Sequence, residues 1–390
     1  MKTNKVLVLI AGVLIQLSLG IIYIWSVFKG PITKYYNWDS NGAALVSSIM
    51  LVAFVAGIVF GGRIQDKTNP TIVVLGGGIL FSLGLFLSSI LPSTNPELIY
   101  FTYGIISGLG VGAAYTAIIS CAQRWYPEKK GFATGIIVCA FGLSTVIFAP
   151  IAKELLKTLE VHAVFRLFSV IFLAVILLCF SFIKNPENTG ATNVTLTGMT
   201  PVEMLKTRTF YFLTITLGIV TILFFYMNPL MLDLAKAKGI ADDVAVTGIM
   251  ILGIANAAGR LIAPVLSDRI GYKYTIISIL CINLLGSLGC IFISGNLFFG
   301  VVFFVAMAYG GASGIFPIAT VANFGPKNMG INYGLMMLGF AASALVTPYI
   351  GKALQRTVSG KPDLTFFFVV TAIACAIGIA MVLSLKKKTK

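Results

Sequence analysis

Acidic side chains are scarce in this sequence: 13 Asp and Glu stand against 28 Lys and Arg, and there is one histidine in 390 residues. Charged residues make up 11% of the chain, hydrophobic ones 58%, and mean hydropathy is +0.97. So few charges cannot cover so much apolar surface in water, which excludes a soluble globular domain. The six cysteines (121, 139, 179, 281, 290 and 375) lie within or at the edges of apolar stretches, without the spacing of a disulfide framework or a metal site. They read as packing residues. No Ser/His/Asp set, metal cluster or additional domain is present in the sequence, so neither an enzyme nor a cofactor is expected, and a non-transporting sensor is disfavoured.

What the chain has in abundance is apolar runs of membrane length. A bilayer core about 30 Å thick takes roughly 20 residues of helix. Twelve such stretches can be read, at 6–28, 42–62, 71–91, 97–122, 131–152, 163–184, 210–233, 244–266, 273–294, 296–322, 329–351 and 363–385. An all-α membrane protein with twelve transmembrane helices is the expected fold class. Lys2 and Lys5 precede the first run as they would in a leader, but no small-residue cleavage site follows before Trp25-Ser-Val-Phe28, so it reads as the first span.

The net charge of +15 is distributed in a way that argues against a nucleic-acid partner. With the N-terminus in the cytoplasm, 17 basic residues fall in inside segments and 10 in outside ones, the bias of the positive-inside rule. Both termini are then expected to be cytoplasmic and the protein to reside in the plasma membrane, with the lipid bilayer as its surroundings and a monomer as its working form.

The least hydrophobic stretch, from Lys184 to Arg208, is rich in Thr, Asn, Pro and Gly and falls mid-chain, where it reads as a linker. It divides the sequence into an N-terminal six-helix bundle (1–184), a cytoplasmic linker (185–209) and a C-terminal six-helix bundle (210–390). The halves echo one another. Pro127, Gly131, Gly135, Phe141 and Ser144 recur 199 positions on as Pro326, Gly330, Gly334, Phe340 and Ser343, and Asp66-Lys67 recurs 202 positions on as Asp268-Arg269. Matching of this kind marks a duplicated fold. Two parallel six-span halves describe one large transporter architecture, which places its substrate site between them near the midplane.

One charged residue, Arg260, lies well inside an apolar span, in Gly253-Ile-Ala-Asn256-Ala-Ala-Gly-Arg260-Leu-Ile-Ala-Pro264. It is eight residues, about 12 Å of helix rise, from Asp268, and the sequence has no Asp or Glu at that depth. Intramembrane cations commonly mark ion or substrate paths. A guanidinium suits bidentate binding of a carboxylate, so Arg260 is the candidate substrate anchor, with snorkelling to the interface as the rival reading. Tyr23, Tyr115 and Tyr309 lie deep enough for their hydroxyls to need partners and are candidate cavity residues. Phe141 and Phe340, related by the repeat, are candidates to close the site. Trp25 and Tyr333 are expected in the interfacial belt, and His162, at the end of span 6, in a solvated loop. Asp66 and Asp268, each followed by a basic residue (Lys67, Arg269) and a helix start, read as gating residues that cap or salt-bridge neighbouring helices. Gly104, Gly108, Gly110 and Gly112 read as small residues for close helix packing, not as a nucleotide loop.

The Asp-Lys/Arg loops after spans 2 and 8 resemble the signature loop of the major facilitator superfamily. The second copy, Ser267-Asp268-Arg269-Ile-Gly271-Tyr-Lys273, matches better than the first, where Asn69-Pro70 stands in place of the usual Gly-Arg/Lys. Three passages resemble the oxalate/formate antiporter family and, more distantly, the monocarboxylate transporters: Gly20-Ile-Ile-Tyr23-Ile-Trp25-Ser-Val-Phe28, Arg124-Trp-Tyr-Pro-Glu-Lys-Lys-Gly131-Phe-Ala-Thr-Gly135, and Asn332-Tyr333-Gly334. The resemblance implies a secondary transporter of small organic anions in which the span-8 arginine binds substrate. Oxalate carriers of that family hold a second cation in span 11. The matching place here is Phe340, and no Lys, Arg or His occurs from Gly330 to Gly351. One cation fits one carboxylate, which favours formate, acetate, lactate or pyruvate over oxalate. Monocarboxylate transporters carry a proton-linked aspartate one turn before the arginine. Asn256 occupies that place and cannot titrate, so proton coupling by that route is not expected, which leaves exchange, uniport, or protons carried by another group.

Overall fold

The computed structural model of the chain describes residues 4–38, 40–92, 94–186, 197–228, 230–240, 242–354, 356–358 and 361–385. Lys2, the basic tail from Lys386 to Lys390 and part of the linker (187–196) lie outside the described residues. The twelve apolar stretches are twelve helices long enough to cross a membrane. Spans 1 to 6 are Lys5–Tyr36, Leu45–Lys67, Pro70–Ser88, Tyr100–Trp125, Lys130–Leu155 and Val161–Phe182. Spans 7 to 12 are Arg208–Met227, Ile251–Ile270, Tyr272–Phe292, Gly295–Phe324, Met329–Thr347 and Thr365–Leu383. The protein is therefore an integral, multi-pass helical membrane protein. Large apolar side chains such as Phe60, Leu178 and Phe292 stand on its surface, as expected where the neighbour is lipid and each helix satisfies its own backbone.

Local chemistry sets the span ends. Asn4 caps span 1 by accepting from the amides of Val6 and Leu7 at 3.0 and 2.9 Å. Asn69, the departure from the usual loop pattern, accepts from Ile72 N at 3.0 Å with Pro70 in the first turn of span 3. The same corner in the second half is turned by Gly271 at φ +83, a conformation that disfavours a side chain. The loop between spans 11 and 12 carries a small antiparallel ribbon, β1 (Arg356–Val358) with β2 (Lys361–Asp363), in the register Arg356↔Asp363.

Spans 1 and 11 are interrupted. Span 1 tightens to a 3-10 turn over Gly20–Ile24. A side chain at Gly20 would collide there with the carbonyl of Phe141 in span 5. Span 11 breaks between the helices Met329–Met336 and Leu338–Leu354.

Contacts divide the chain into two compact units, residues 1–201 with 324–335, and residues 202–323 with 336–390. In the first, span 4 packs on spans 2 and 3 and span 1 on span 5. The glycines of span 4 make this possible, because a Cβ at Gly112 would strike the carbonyl of Phe54 and one at Gly110 the carbonyl of Gly77. In the second unit span 7 packs on spans 11 and 12, and span 9 on span 12. Spans 8 and 10 meet there as spans 2 and 4 do in the first. Gly259 lies on the backbone of Met307 as Gly57 lies on that of Leu109, and Gly310 on Asn256 as Gly112 on Phe54. The duplication read from the sequence is thus also a duplication of backbone contacts.

Candidate functional site

Arg260 is 1% exposed, so the guanidinium is inside the protein and does not snorkel out to an interface. Its Nε donates to Asn256 Oδ1 at 3.0 Å, one helical turn earlier. One turn later stands Pro264, which has no N–H to offer the Arg260 carbonyl. Gly314 of span 10 covers that carbonyl and the proline ring, leaving no room for a Cβ. Small residues therefore let spans 8 and 10 touch backbone to backbone where the cation sits.

Span 10 also carries Tyr309, buried and stacked face to face on Phe224 at 3.9 Å and 8°. Phe225 meets Tyr309 at 5.6 Å and Phe340 at 5.1 Å, both edge-on, and the Tyr309 and Phe340 rings are 6.3 Å apart. Tyr309 and Phe340, 31 residues apart in the chain, are thus brought together through span 7. Sequence reasoning missed Phe224 and Phe225. The repeat offset was the available signal, because Phe225 lies 202 positions after Tyr23.

Within the first unit the corresponding cluster is aromatic and uncharged. Tyr23 meets Phe141 edge-on at 5.5 Å, Tyr115 lies 4.9 Å from Phe141, and Phe54 touches both Tyr115 (5.3 Å) and Phe141 (6.1 Å). Tyr115 and Phe141 are buried. Gln16, fully buried, donates Nε2 to the Tyr115 carbonyl at 3.3 Å. The edge-on pair Tyr23–Phe141 repeats as Phe225–Phe340, whereas Phe54 and Ile58 of span 2 occupy the places that Asn256 and Arg260 hold in span 8. Duplication preserved the packing and changed the chemistry in one copy.

The gating candidates separate from these clusters. Asp66 accepts from the backbone N–H of Gly330 (3.3 Å) and Ile331 (3.1 Å), first-turn donors that have no acceptor within the helix Met329–Met336. Lys67, Asp268 and Arg269 are exposed at the ends of spans 2 and 8.

Three expectations are corrected. His162 is buried, because span 1 extends past Phe28 to Tyr36 and lays Tyr35 and Tyr36 against the imidazole at 4.3 and 5.6 Å, while Nδ1 lies 3.3 Å from the Ser88 carbonyl. Trp25 is buried and donates Nε1 to the Ala43 carbonyl at 2.8 Å. Tyr333 is fully buried. Both rings are turned into the protein and away from lipid, a choice that hydropathy does not register.

The sequence pattern of the Major Facilitator Superfamily matches residues 8–348. The oxalate:formate antiporter of Oxalobacter formigenes is 26% identical over 385 residues, covering 97% of this chain and 90% of that protein. An uncharacterized MFS-type transporter of Escherichia coli, YhjX, is 26% identical over 350 residues, covering 88% and 87%. The solved structure of the proton:xylose symporter XylE superimposes with a TM-score of 0.73 at 15% identity, covering 98% of this chain and 96% of that one.

Proposed function

Because the chain belongs to the Major Facilitator Superfamily, and so is a membrane transporter and not an enzyme, we propose that it exchanges small monocarboxylates by alternating access. Formate, acetate, lactate and pyruvate are the substrates in view, and the working form is a monomer in the plasma membrane with both termini cytoplasmic. The observation that carries this reading is Arg260: a guanidinium 1% exposed in mid-span, oriented through Nε by the neutral amide of Asn256. Asn256 holds the guanidinium at Nε, and a carboxylate is the group whose two oxygens match the guanidinium fork. Tyr309, Tyr23 and Tyr115 supply hydroxyls, and Phe141 and Phe340 apolar walls, in clusters of each unit. The 26% identical relative named as an oxalate:formate antiporter supports the anion class. The aromatic packing around Phe340 supports a single-charge substrate.

Counterflow into proteoliposomes preloaded with unlabelled formate, acetate, lactate, pyruvate or oxalate tests the reading. Uptake of the labelled monocarboxylate should exceed that of protein-free vesicles and should be driven by internal substrate. If none of the monocarboxylates is taken up, the proposal fails.

Asn256 makes a separate test of coupling. With an amide in place of a carboxylate at 3.0 Å from Arg260, exchange of one monoanion for another should be electroneutral and should run without a pH gradient. Asn256→Asp should form an ion pair with Arg260 that competes with substrate, raising the half-saturation concentration by about tenfold. Uptake into vesicles lacking internal substrate that collapses with a proton ionophore would instead establish proton symport.

A further inference from the structure

Just after its undescribed part, the linker is bonded to the end of span 10 and the start of span 11. Met199 N donates to the Phe324 carbonyl at 2.7 Å, and the Met199 carbonyl accepts from Asn328 Nδ2 (2.9 Å) and Asn332 Nδ2 (3.1 Å). Gly325, at φ +85, turns the chain so that the Phe324 carbonyl faces Met199, and Gly198 and Gly325 meet with no side chain between them. The same short helix is held by Asp66 at Gly330 and Ile331 and lies backbone to backbone on Gly62 and Val59. All of these residues lie in the first unit.

Span 11 is the element divided between the units. Its first part groups with the first unit and lies on Val59, Gly62 and Asp66 of span 2, and the part beyond the break at Met337 packs on span 7. When a transporter rocks between its two open states, such a span can follow only one of its neighbours unless one set of contacts is released. The hydrogen bonds at Met199 and Asp66 are polar, few and concentrated at one helix end, so they can break and re-form as a unit.

We propose that Gly198–Met199 is a strap that latches the start of span 11 in the state seen here and is released once in each transport cycle. Asn328 and Asn332 are its catch. Asn332 belongs to the Asn-Tyr-Gly passage, so that passage serves the latch, and the substrate is held by other residues. The inference uses the transporter family and does not depend on which substrate is carried.

A cysteine pair tests it. A Cβ at position 198 would lie 3.1 Å from the Lys327 Cβ, within a few tenths of an ångström of disulfide geometry. Oxidised Gly198→Cys/Lys327→Cys protein should lose at least tenfold in labelled-formate counterflow, and reductant should restore it. Each variant carrying one of the two substitutions, treated in the same way, should be unaffected. A substrate-independent measurement accompanies this: with the exposed Cys281 replaced by serine and the labelling of the remaining native cysteines subtracted, maleimide labelling of Gly198→Cys should accelerate several-fold when Asn328→Ala and Asn332→Ala are added. A pair that folds but cannot be cross-linked, a cross-linked protein that exchanges at the reduced rate, or labelling indifferent to both asparagines would each overturn the latch. If the reduced pair and the wild type both fail to exchange formate, the substrate reading fails, and the labelling rates still decide the latch.

Discussion

Arg260→Ala proteoliposomes should show no counterflow above protein-free vesicles, and Arg260→Lys should lose most of it, while both variants elute as folded protein. Removing one partner of a buried, hydrogen-bonded charge pair costs about 2–5 kcal/mol, which is roughly thirtyfold to several thousandfold in binding. Lysine keeps the charge but cannot offer two parallel N–H donors to a carboxylate, nor a guanidinium Nε for Asn256 to hold at 3.0 Å. The two substitutions therefore separate charge from geometry: an anchor that needed only charge would survive as lysine. Because Arg260 is 1% exposed, its truncation also removes packing volume, so Arg260→Met serves as a control of similar length. Methionine, which refills that volume without a charge, should also fold and should not transport. Exchange at wild-type rate in Arg260→Ala would show that the residue is structural and that the anion reading has no anchor.

The second large effect concerns charge selectivity. With one cation in the proposed site, a monocarboxylate leaves it near neutral, whereas oxalate brings a second charge whose burial costs several kcal/mol if unmatched. Competition at neutral pH should therefore rank formate, acetate, lactate or pyruvate ahead of oxalate by at least about tenfold. Phe340→Lys should shift the order toward the dianion. The ring it replaces is packed on Phe225 and lies near Tyr309, so the ammonium would enter an aromatic setting that tolerates a cation. Phe340→Leu, which loses the ring without adding charge, controls for the damage to packing and should leave the order unchanged. Tight oxalate binding by the unmodified protein, with monocarboxylates ineffective, would show that hydroxyls and helix dipoles replace a second cation. The selectivity argument would then be wrong.

The twelve spans and the duplication are legible without coordinates, because both are written locally: apolar runs of bilayer length, and glycines and charges recurring at a constant offset. The sequence also singled out Arg260, since a cation in an apolar run is visible without coordinates. Tertiary structure decided what each residue touches. That Asn256 grips the guanidinium, that Phe225 joins Tyr309 to Phe340, and that Phe54 belongs with Tyr115 and Phe141 all depend on which helix faces cross. The misplaced residues have the same origin. His162, Trp25 and Tyr333 were read by depth along a helix, but burial in a membrane protein is set by rotation about its axis, and lipid and protein interior are almost equally apolar. In lipid, hydrophobicity sets how long a span is, while the side chains that meet are chosen by where small residues let two backbones touch, as Gly310 does against Asn256. That choice depends on both helices together and is not contained in either one.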